Sequence, residues 1–299
     1  MLEQWVREKQ PDNTSKTYGS YARKYLAFCE QRGLSPVSDA SLGAYMYYGL
    51  KHEKLGRVTL TSVIPSAVAD IYRFDSAHTP TDSGLVREMK RTIIRETKPS
   101  KGKLPVTVPH LKKMVGLVKP TEESIRDMFM MIVMFMGFLR ESELSKLKTS
   151  DVWVETLEGK EVLFIYIEQK KNDQGRFGHT VVLEGEPTSP ICPVSWFRAH
   201  KKVRRSPTHI FHHVWKSAKS LAHDYPNTVL KRMVAAIGLR PEPYGSHSLR
   251  RGGASAAANA GITAHVIARH GDWHSDAVFV YITDALAQRL SVGRAIMHA

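Results

Sequence analysis

Residues 152–184 read VWVETLEGKEVLFIYIEQKKNDQGRFGHTVVLE, and here the apolar residues abandon the helical period that governs most of the chain. Residues 152–155, 162–168 and 179–183 alternate or run apolar with Val, Ile, Phe and Tyr, which predicts three strands. The last two strands flank QKKNDQGRFG, whose Asn, Asp and Gly residues suit a hairpin loop. The expectation is one small antiparallel sheet.

On both sides of this sheet the pattern is helical. Upstream, residues 110–117 and 122–139 read as helices, the second Met-rich and apolar from Met128 to Leu139. Downstream, helices return from Val194 and continue to the end, including the 18 residues after Tyr281. Further upstream the spacing of Tyr18, Tyr21, Tyr25 and Phe28 gives one apolar helix face over 14–31, with Arg23 and Lys24 beside it, ended by Gly33 and Pro36. Helices over 39–49, 60–74 and 83–97 complete a four-helix bundle. Between the bundle and the rest, TKPSKGKLPVTVP (97–109) holds three prolines, one glycine and three lysines without a helical period, which reads as a linker. The fold class is therefore mainly α with a small antiparallel β-sheet: a helical domain over 1–97, a basic linker over 98–109 and a mixed α+β domain over 110–299.

The chain has 299 residues and a formal net charge of +14, with 42% hydrophobic and 24% charged residues. That composition belongs to a folded protein and excludes a disordered basic tail. The charge is divided, +6 over residues 1–103 and +8 over 104–299, which suits a polyanion gripped by two basic domains better than a basic appendage. Cys29 and Cys192 are the only cysteines, so neither a disulfide framework nor a four-cysteine zinc site can form, and a reduced, intracellular setting is expected. The longest apolar run, Met128 to Leu139, is 12 residues, short of the roughly 20 a membrane span needs. The N-terminus carries no secretory pattern.

Four places hold residues that would be unusual as packing. In GFLRESEL (137–144), Arg140 follows an apolar run, so its guanidinium must emerge at a helix end or meet a partner such as Glu143. In YGSHSLRRGGASAAANAG (244–261), His247 and Arg250 lie three apart on one face of a helix that Ser246 could cap. Gly252, Gly253 and the alanines that follow would let that helix approach a neighbour closely, and Gly261 ends it. A His and an Arg at a helix start suit a phosphate. In RHGDWHSDAVFVYI (269–282), Gly271 breaks a helix, Trp273 and His274 fall in the turn, Ser275 can cap a new helix and Tyr281 sits within it. The fourth place is the hairpin loop with Lys170 and Lys171.

The order of these pieces resembles the tyrosine recombinase, or phage-integrase-type, family of DNA strand-exchange enzymes. Arg in a helix-end turn, Lys in a β-hairpin, HxxR, and GxW followed eight residues later by Tyr occur here in that family's sequence. The resemblance spans nearly the whole chain, from a helical core-binding domain through a linker ending in KLPVT to the catalytic domain. It implies catalytic roles for Arg140, Lys171, His247, Arg250, Trp273 and Tyr281, with Glu143 supporting Arg140, Lys170 as the neighbouring alternative to Lys171, and His274 as the alternative to Trp273. Asp272 stands where many members have His or Trp; the GxW form is similar to members carried by mobile elements.

The resemblance implies attack of Tyr281 on a DNA phosphodiester to give a 3′-phosphotyrosyl link and a free 5′-hydroxyl. A phenol, with a pKa of about 10, suits such a reversible transfer. Two arginines and an indole N–H around the phosphate would make a metal or other cofactor unnecessary, and no clustered carboxylates of a two-metal nuclease are apparent. The implied partner is double-stranded DNA, bound by a homotetramer on two sites, with no membrane and no small-molecule substrate. Lys98, Lys101 and Lys103 in the linker and Lys201, Lys202, Arg204 and Arg205 in KKVRR are the expected phosphate contacts. KKVRR equally fits a nuclear import signal, so the expected compartment is wherever the DNA lies, nucleus or bacterial cytoplasm. His200, His209, His212, His213 and Cys192 do not match a zinc-ligand spacing. Two other readings stay open: a topoisomerase-like nicking and rejoining enzyme, and a DNA-binding protein that keeps the fold without activity.

Overall fold

In the computed structural model, residues 12–74, 79–99, 102–168, 178–245, 247–273, 276–284 and 286–297 are described. The chain forms two compact units, Met1–Lys101 and Gly102–Ala299.

The first unit is a helical bundle. Helix α1 (Asp12–Gln31) buries Tyr25, Phe28 and Cys29 against α2 (Asp39–Lys51), with Tyr25 and Phe28 5.6 and 5.1 Å from the Tyr45 ring. Gly33, at φ +61°, ends α1, and Leu34 N–H returns to the Cys29 carbonyl at 2.9 Å. The third helix departs from the even pattern of the sequence. It opens with a π turn over Thr59–Val63 and becomes α-helical only over α3 (Ile64–Ile71), because Pro65 has no N–H for the Thr61 carbonyl and the ladder shifts to Ile64 N–H on Thr59. Helix α4 (Gly84–Glu96) is capped by the Ser83 hydroxyl, which accepts from Val86 N–H at 3.1 Å.

In the second unit the stretch expected as linker is already structured. Leu104 N–H donates to Pro243 O and Val106 N–H to Ser248 O, both at 2.9 Å, and Val106 is fully buried. Thr107 then caps α5 (Val108–Val115), with the His110 ring accepting from Thr107 N–H in return. Pro105, between Leu104 and Val106, concealed these contacts, because its fixed φ suits an extended strand-like segment as well as a free linker. Helix α6 (Glu122–Met136) is buried along most of its length and ends at Gly137; the short α7 (Glu141–Leu144) follows.

The sheet runs in the order β1 (Val152–Leu157), β2 (Lys160–Ile167), β3 (His179–Glu184), all antiparallel, with Val152 opposite Ile165 and Ile167 opposite His179. Glu158 and Gly159, at φ +51° and +77°, make the β1–β2 turn, so both strands extend further towards each other than their apolar residues indicate. Leu163, Ile165, Ile167, Val181 and Leu183 face the core. The loop 169–177, which carries Lys170 and Lys171, lies outside the described residues.

After α8 (Pro193–Val203) the sequence reading expected only helices. Instead β4 (His212–His213) and β5 (Lys216–Ser220) form a two-stranded ribbon before α9 (Tyr225–Ala236), and a two-residue strand is too short to leave a period in the sequence. Buried charge fastens the ribbon to α6. Arg126, 2% exposed, donates to Asp127 at 2.7 Å, to the His212 carbonyl at 2.8 Å and to the Tyr225 hydroxyl, while Arg232 reaches Asp127 at 2.5 Å. A buried guanidinium with its donors used in this way is tolerated where an unpaired one would not be.

Four helices close the unit: α10 (His247–Asn259), α11 (Ala264–Gly271), α12 (Ala277–Tyr281) and α13 (Leu286–Met297). Gly252 and Gly253 bring α10 against its neighbours as the sequence predicted. A Cβ on either would stand 1.9 Å from a carbonyl oxygen, that of Val106 or of Phe135. Gly261, at φ +91°, ends α10 with Ile262 N–H on the Ala257 carbonyl at 3.1 Å.

His200 gives this core a pH dependence. It is fully buried, its Nε2–H donates to the Ile210 carbonyl at 2.7 Å, and burial pushes its pKa down from 6.5 to about 4. Because the unfolded chain then takes up the proton first, the stability His200 confers is complete above pH 6.5 and is lost as pH falls towards 4, by at most about 3 kcal/mol. Urea unfolding of the native protein should weaken more steeply across this window than that of His200→Gln, which can keep the bond to Ile210 without titrating; equal slopes would contradict this account.

Candidate active site

Arg250 is the fourth residue of α10, in its first turn, and is 2% exposed. Its Nη1 donates to the Phe138 carbonyl and its Nη2 to the Gly271 carbonyl at 2.8 Å. The two carbonyls come from turns held in left-handed backbone. Phe138 itself has φ +51°, and Asp272, directly after Gly271, has φ +54°. A bulky residue in that region costs roughly 1–2 kcal/mol, so the geometry persists only because the surroundings impose it. Arg250 Nε is buried with no acceptor among the described residues.

The aromatic wall is built on the same guanidinium. The Trp273 ring centroid is 4.1 Å from Arg250 Cζ, and that of Tyr281 is 5.5 Å away. Trp273 and Tyr281 are 5.1 Å apart, and Trp273 also packs on Phe138 at 5.7 Å. Gly271 leaves room for the indole, since a Cβ there would lie 2.1 Å from Trp273 Cζ3. His247, the first residue of α10, is exposed and faces Tyr281, with Nδ1 3.4 Å from the phenol oxygen.

Arg140 comes to the site from the turn after α6. Glu143 accepts from both Arg140 N–H, at 2.8 Å, and Nη1, at 2.5 Å, so the salt bridge anticipated from the sequence is present and orients the side chain. Arg250 has its pKa lowered to about 10, first by burial and then by the charge of Arg140. Two cations held near each other, one with a buried donor unmet among the described residues, form a site suited to an anion.

Five of the nine residues singled out as catalytic or supporting, namely Arg250, Trp273, Tyr281, His247 and Arg140, lie around this one site, and Glu143 supports the last. Lys170, Lys171 and His274 lie outside the described residues, as do Ser246 and Ser275, the expected caps; the described N-cap of α12 is Asp276. Tyr281 is the last residue of α12 and not interior to it. Of the expected phosphate contacts, Lys98, Lys103, Lys201 and Lys202 are exposed, with Lys103 Nζ on the Glu242 carbonyl at 2.9 Å. Arg205 is spoken for in part by buried Glu122 at 3.1 Å, and Arg204 is half-buried, with burial pushing its pKa down. Lys101 lies outside the described residues. Of the histidines weighed as metal ligands, His212 Nε2 lies 2.9 Å from Glu122 Oε1 and His209 Nδ1 2.9 Å from the Thr208 hydroxyl.

Sequence reasoning missed Arg251, Ser255 and Asn259. Arg251 Nη2 donates to Val280 O at 2.7 Å, the Ser255 hydroxyl donates to Tyr281 O at 3.2 Å and accepts from Thr283 N–H at 2.9 Å, and Asn259 reaches Thr283 O at 3.5 Å. Their i, i+4, i+8 spacing marks one helix face, a signal that was present in the sequence.

Residues 106–288 match the model of the phage integrase family. The chain belongs to the phage integrase family. This family protein is 27% identical over 285 residues to an integrase/recombinase XerD homolog of Selenomonas ruminantium, covering 88% of the present chain and 79% of the relative. Its fold is shared with solved structures at low identity. A Tn1549 transposon integrase in complex with transposon right-end DNA matches with a TM-score of 0.67 and 14% identity, over 98% of this chain and 96% of that one. A lambda integrase fragment, a dimer bound to a COC′ core site, matches with a TM-score of 0.66 and 18% identity, over 95% and 94%.

The Trp273 contacts can be tested through Gly271. Gly271→Ala should displace the indole, destabilise the protein by about 1–3 kcal/mol in urea unfolding and alter its near-ultraviolet circular dichroism. An unchanged spectrum and midpoint would mean that the indole does not occupy this place.

Proposed function

We propose that this protein is a site-specific DNA recombinase that cleaves and rejoins DNA strands through a 3′-phosphotyrosyl intermediate on Tyr281. The observation that carries the reading is the convergence of Tyr281, His247 and Arg250: a phenol 3.4 Å from an imidazole nitrogen, its ring 5.5 Å from a buried guanidinium whose Nε meets no acceptor among the described residues.

In the forward step the Tyr281 oxygen attacks the phosphorus, the P–O5′ bond breaks, and the phenol proton passes to His247. The departing 5′-oxygen takes a proton from Lys171 on the β2–β3 loop, with Lys170 as its neighbour. Arg140 and Arg250 stabilise the charge that gathers on the non-bridging oxygens, each contributing a few kcal/mol as such donors typically do. Trp273, in its GxW setting, holds one face of Arg250 and leaves its indole N–H for the phosphate. Rejoining reverses the step: a 5′-hydroxyl attacks the phosphotyrosyl phosphorus and Tyr281 leaves. No redox partner enters this sequence.

Basic charge in both units, with Lys98, Lys103, Lys201 and Lys202 exposed, suits contact with DNA phosphates. Exchange between two duplexes requires four strand cleavages, which a homotetramer on two sites supplies. We place the protein inside the cell with the DNA it acts on; among the described residues no helix is long and apolar enough to cross a membrane. The retained set of chemically active residues disfavours a protein that binds DNA without cleaving it.

The test uses a nicked duplex bearing a sequence that the protein itself enriches from a random-duplex library. A covalent adduct should form with the native protein and disappear with Tyr281→Phe while DNA binding persists; an adduct that survives Tyr281→Phe excludes this nucleophile, and none with the native protein leaves the binding reading. Lys171→Ala should slow cleavage strongly on the ordinary 5′-oxygen and much less on a 5′-thio leaving group, which departs without a proton. Equal losses on both substrates would remove Lys171 from the acid role.

A further inference from the structure

Arg250 depends on two backbone carbonyls that belong to separate segments, Phe138 in the turn after α6 and Gly271 at the end of α11. Something must hold these turns at the spacing of one guanidinium. His270 touches both. It immediately precedes Gly271 in the chain, its Nε2–H donates to the Met136 carbonyl at 2.8 Å, and its ring meets the Phe138 ring edge-on at 4.7 Å. A carbonyl only accepts, so Nε2 carries the hydrogen in this bond. The His270 carbonyl in turn accepts from Nε2–H of His179, the first residue of β3, at 3.2 Å. One side chain and its own carbonyl thus join the turn that carries Phe138, the turn that carries Gly271 and Trp273, and the strand leading out of the Lys171 loop.

We propose that His270 is a positioning residue that sets the orientation of Arg250 by clamping the Phe138 and Gly271 turns together. It acts through Arg250 and not on the phosphate. The donor at Nε2 is the essential feature, because an apolar side chain of similar size would fill the space beside Phe138 and leave the Met136 carbonyl unbonded. Small displacements matter at this place, since a misplacement of about 1 Å in a catalytic group can cost about 100-fold in rate.

This inference rests on the reading of Arg250 as a catalytic group, so two measurements separate the two claims. The first follows single-turnover formation of the Tyr281 adduct at saturating concentrations of the library-selected nicked duplex. His270→Leu should slow it by about 10- to 100-fold with DNA affinity within about threefold of native, and His270→Gln, which restores a donor near the Nε2 position, should return the rate to within about threefold. A native rate in His270→Leu, or equal losses in the Leu and Gln variants, would overturn the proposal. The second needs no activity: a double-mutant cycle in urea unfolding with His270→Leu and Arg250→Met. The combined change in the unfolding constant should fall short of the product of the single changes by at least about fivefold, as expected of groups sharing partners. Additive effects would sever His270 from Arg250 whether or not the protein cleaves DNA, whereas coupling in a protein that forms no adduct would uphold the clamp and count against the recombinase reading alone.

Discussion

The candidate site of the second unit is organised around the Arg250 guanidinium, which has been taken out of water. Burying a charge of this kind is costly unless its donors are met, and at Arg250 the two Nη groups are met by main chain, the Phe138 and Gly271 carbonyls, with the Trp273 ring against the guanidinium. Presenting two carbonyls to one planar fork requires two turns that point inward. Both turns contain non-glycine residues in the left-handed region, Phe138 and Asp272, and Gly252 and Gly253 let α10 come close enough for Arg250 to reach them. Glycine backbone, strained turns and stacked aromatics are consequences of the same requirement.

The other half of the site is carried by the same helix. His247 and Arg250 stand in the first turn of α10, while Arg251, Ser255 and Asn259 on a neighbouring face hold the main chain of Val280, Tyr281 and Thr283. The tyrosine therefore takes its place from the helix that carries its expected proton acceptor and one of its expected charge stabilisers. Such shared support limits relative motion among the three groups, which favours a preorganised electrostatic site. Elsewhere in the unit charge is used differently. Arg126, Asp127 and Arg232 satisfy one another and fasten α6 to the β4–β5 ribbon and α9, whereas Arg250 Nε meets no acceptor among the described residues.

Much of this was legible along the chain. Period-two apolar runs announced the three-stranded sheet, the tyrosine stripe announced α1, and Gly252 and Gly253 announced a close helix contact, because each is a local pattern of side-chain size and spacing. The features that escaped were of two kinds. Some were too short to carry a period, such as the two-residue strand β4 and the Glu158–Gly159 turn. Others involved residues whose type permits several environments: Leu104 and Val106 read as linker between prolines yet bond to Pro243 and Ser248, and Arg204 and Arg205 read as surface charge yet lie beside buried Glu122 and His200.

By itself the sequence determined the fold class, the order of the candidate catalytic residues and the family to which that order points, since these depend on which residues occur and how far apart along the chain they lie. Only the tertiary structure decided that Arg250 is buried and bonded to main chain, that the Trp273 ring centroid lies 4.1 Å from its Cζ, and that His270 sits between the two turns that hold it. Those relations join Phe138, Arg250 and Gly271 across separations of 112 and 21 residues. Contacts of that kind are set by how helices and turns pack in three dimensions, and no local spacing records them.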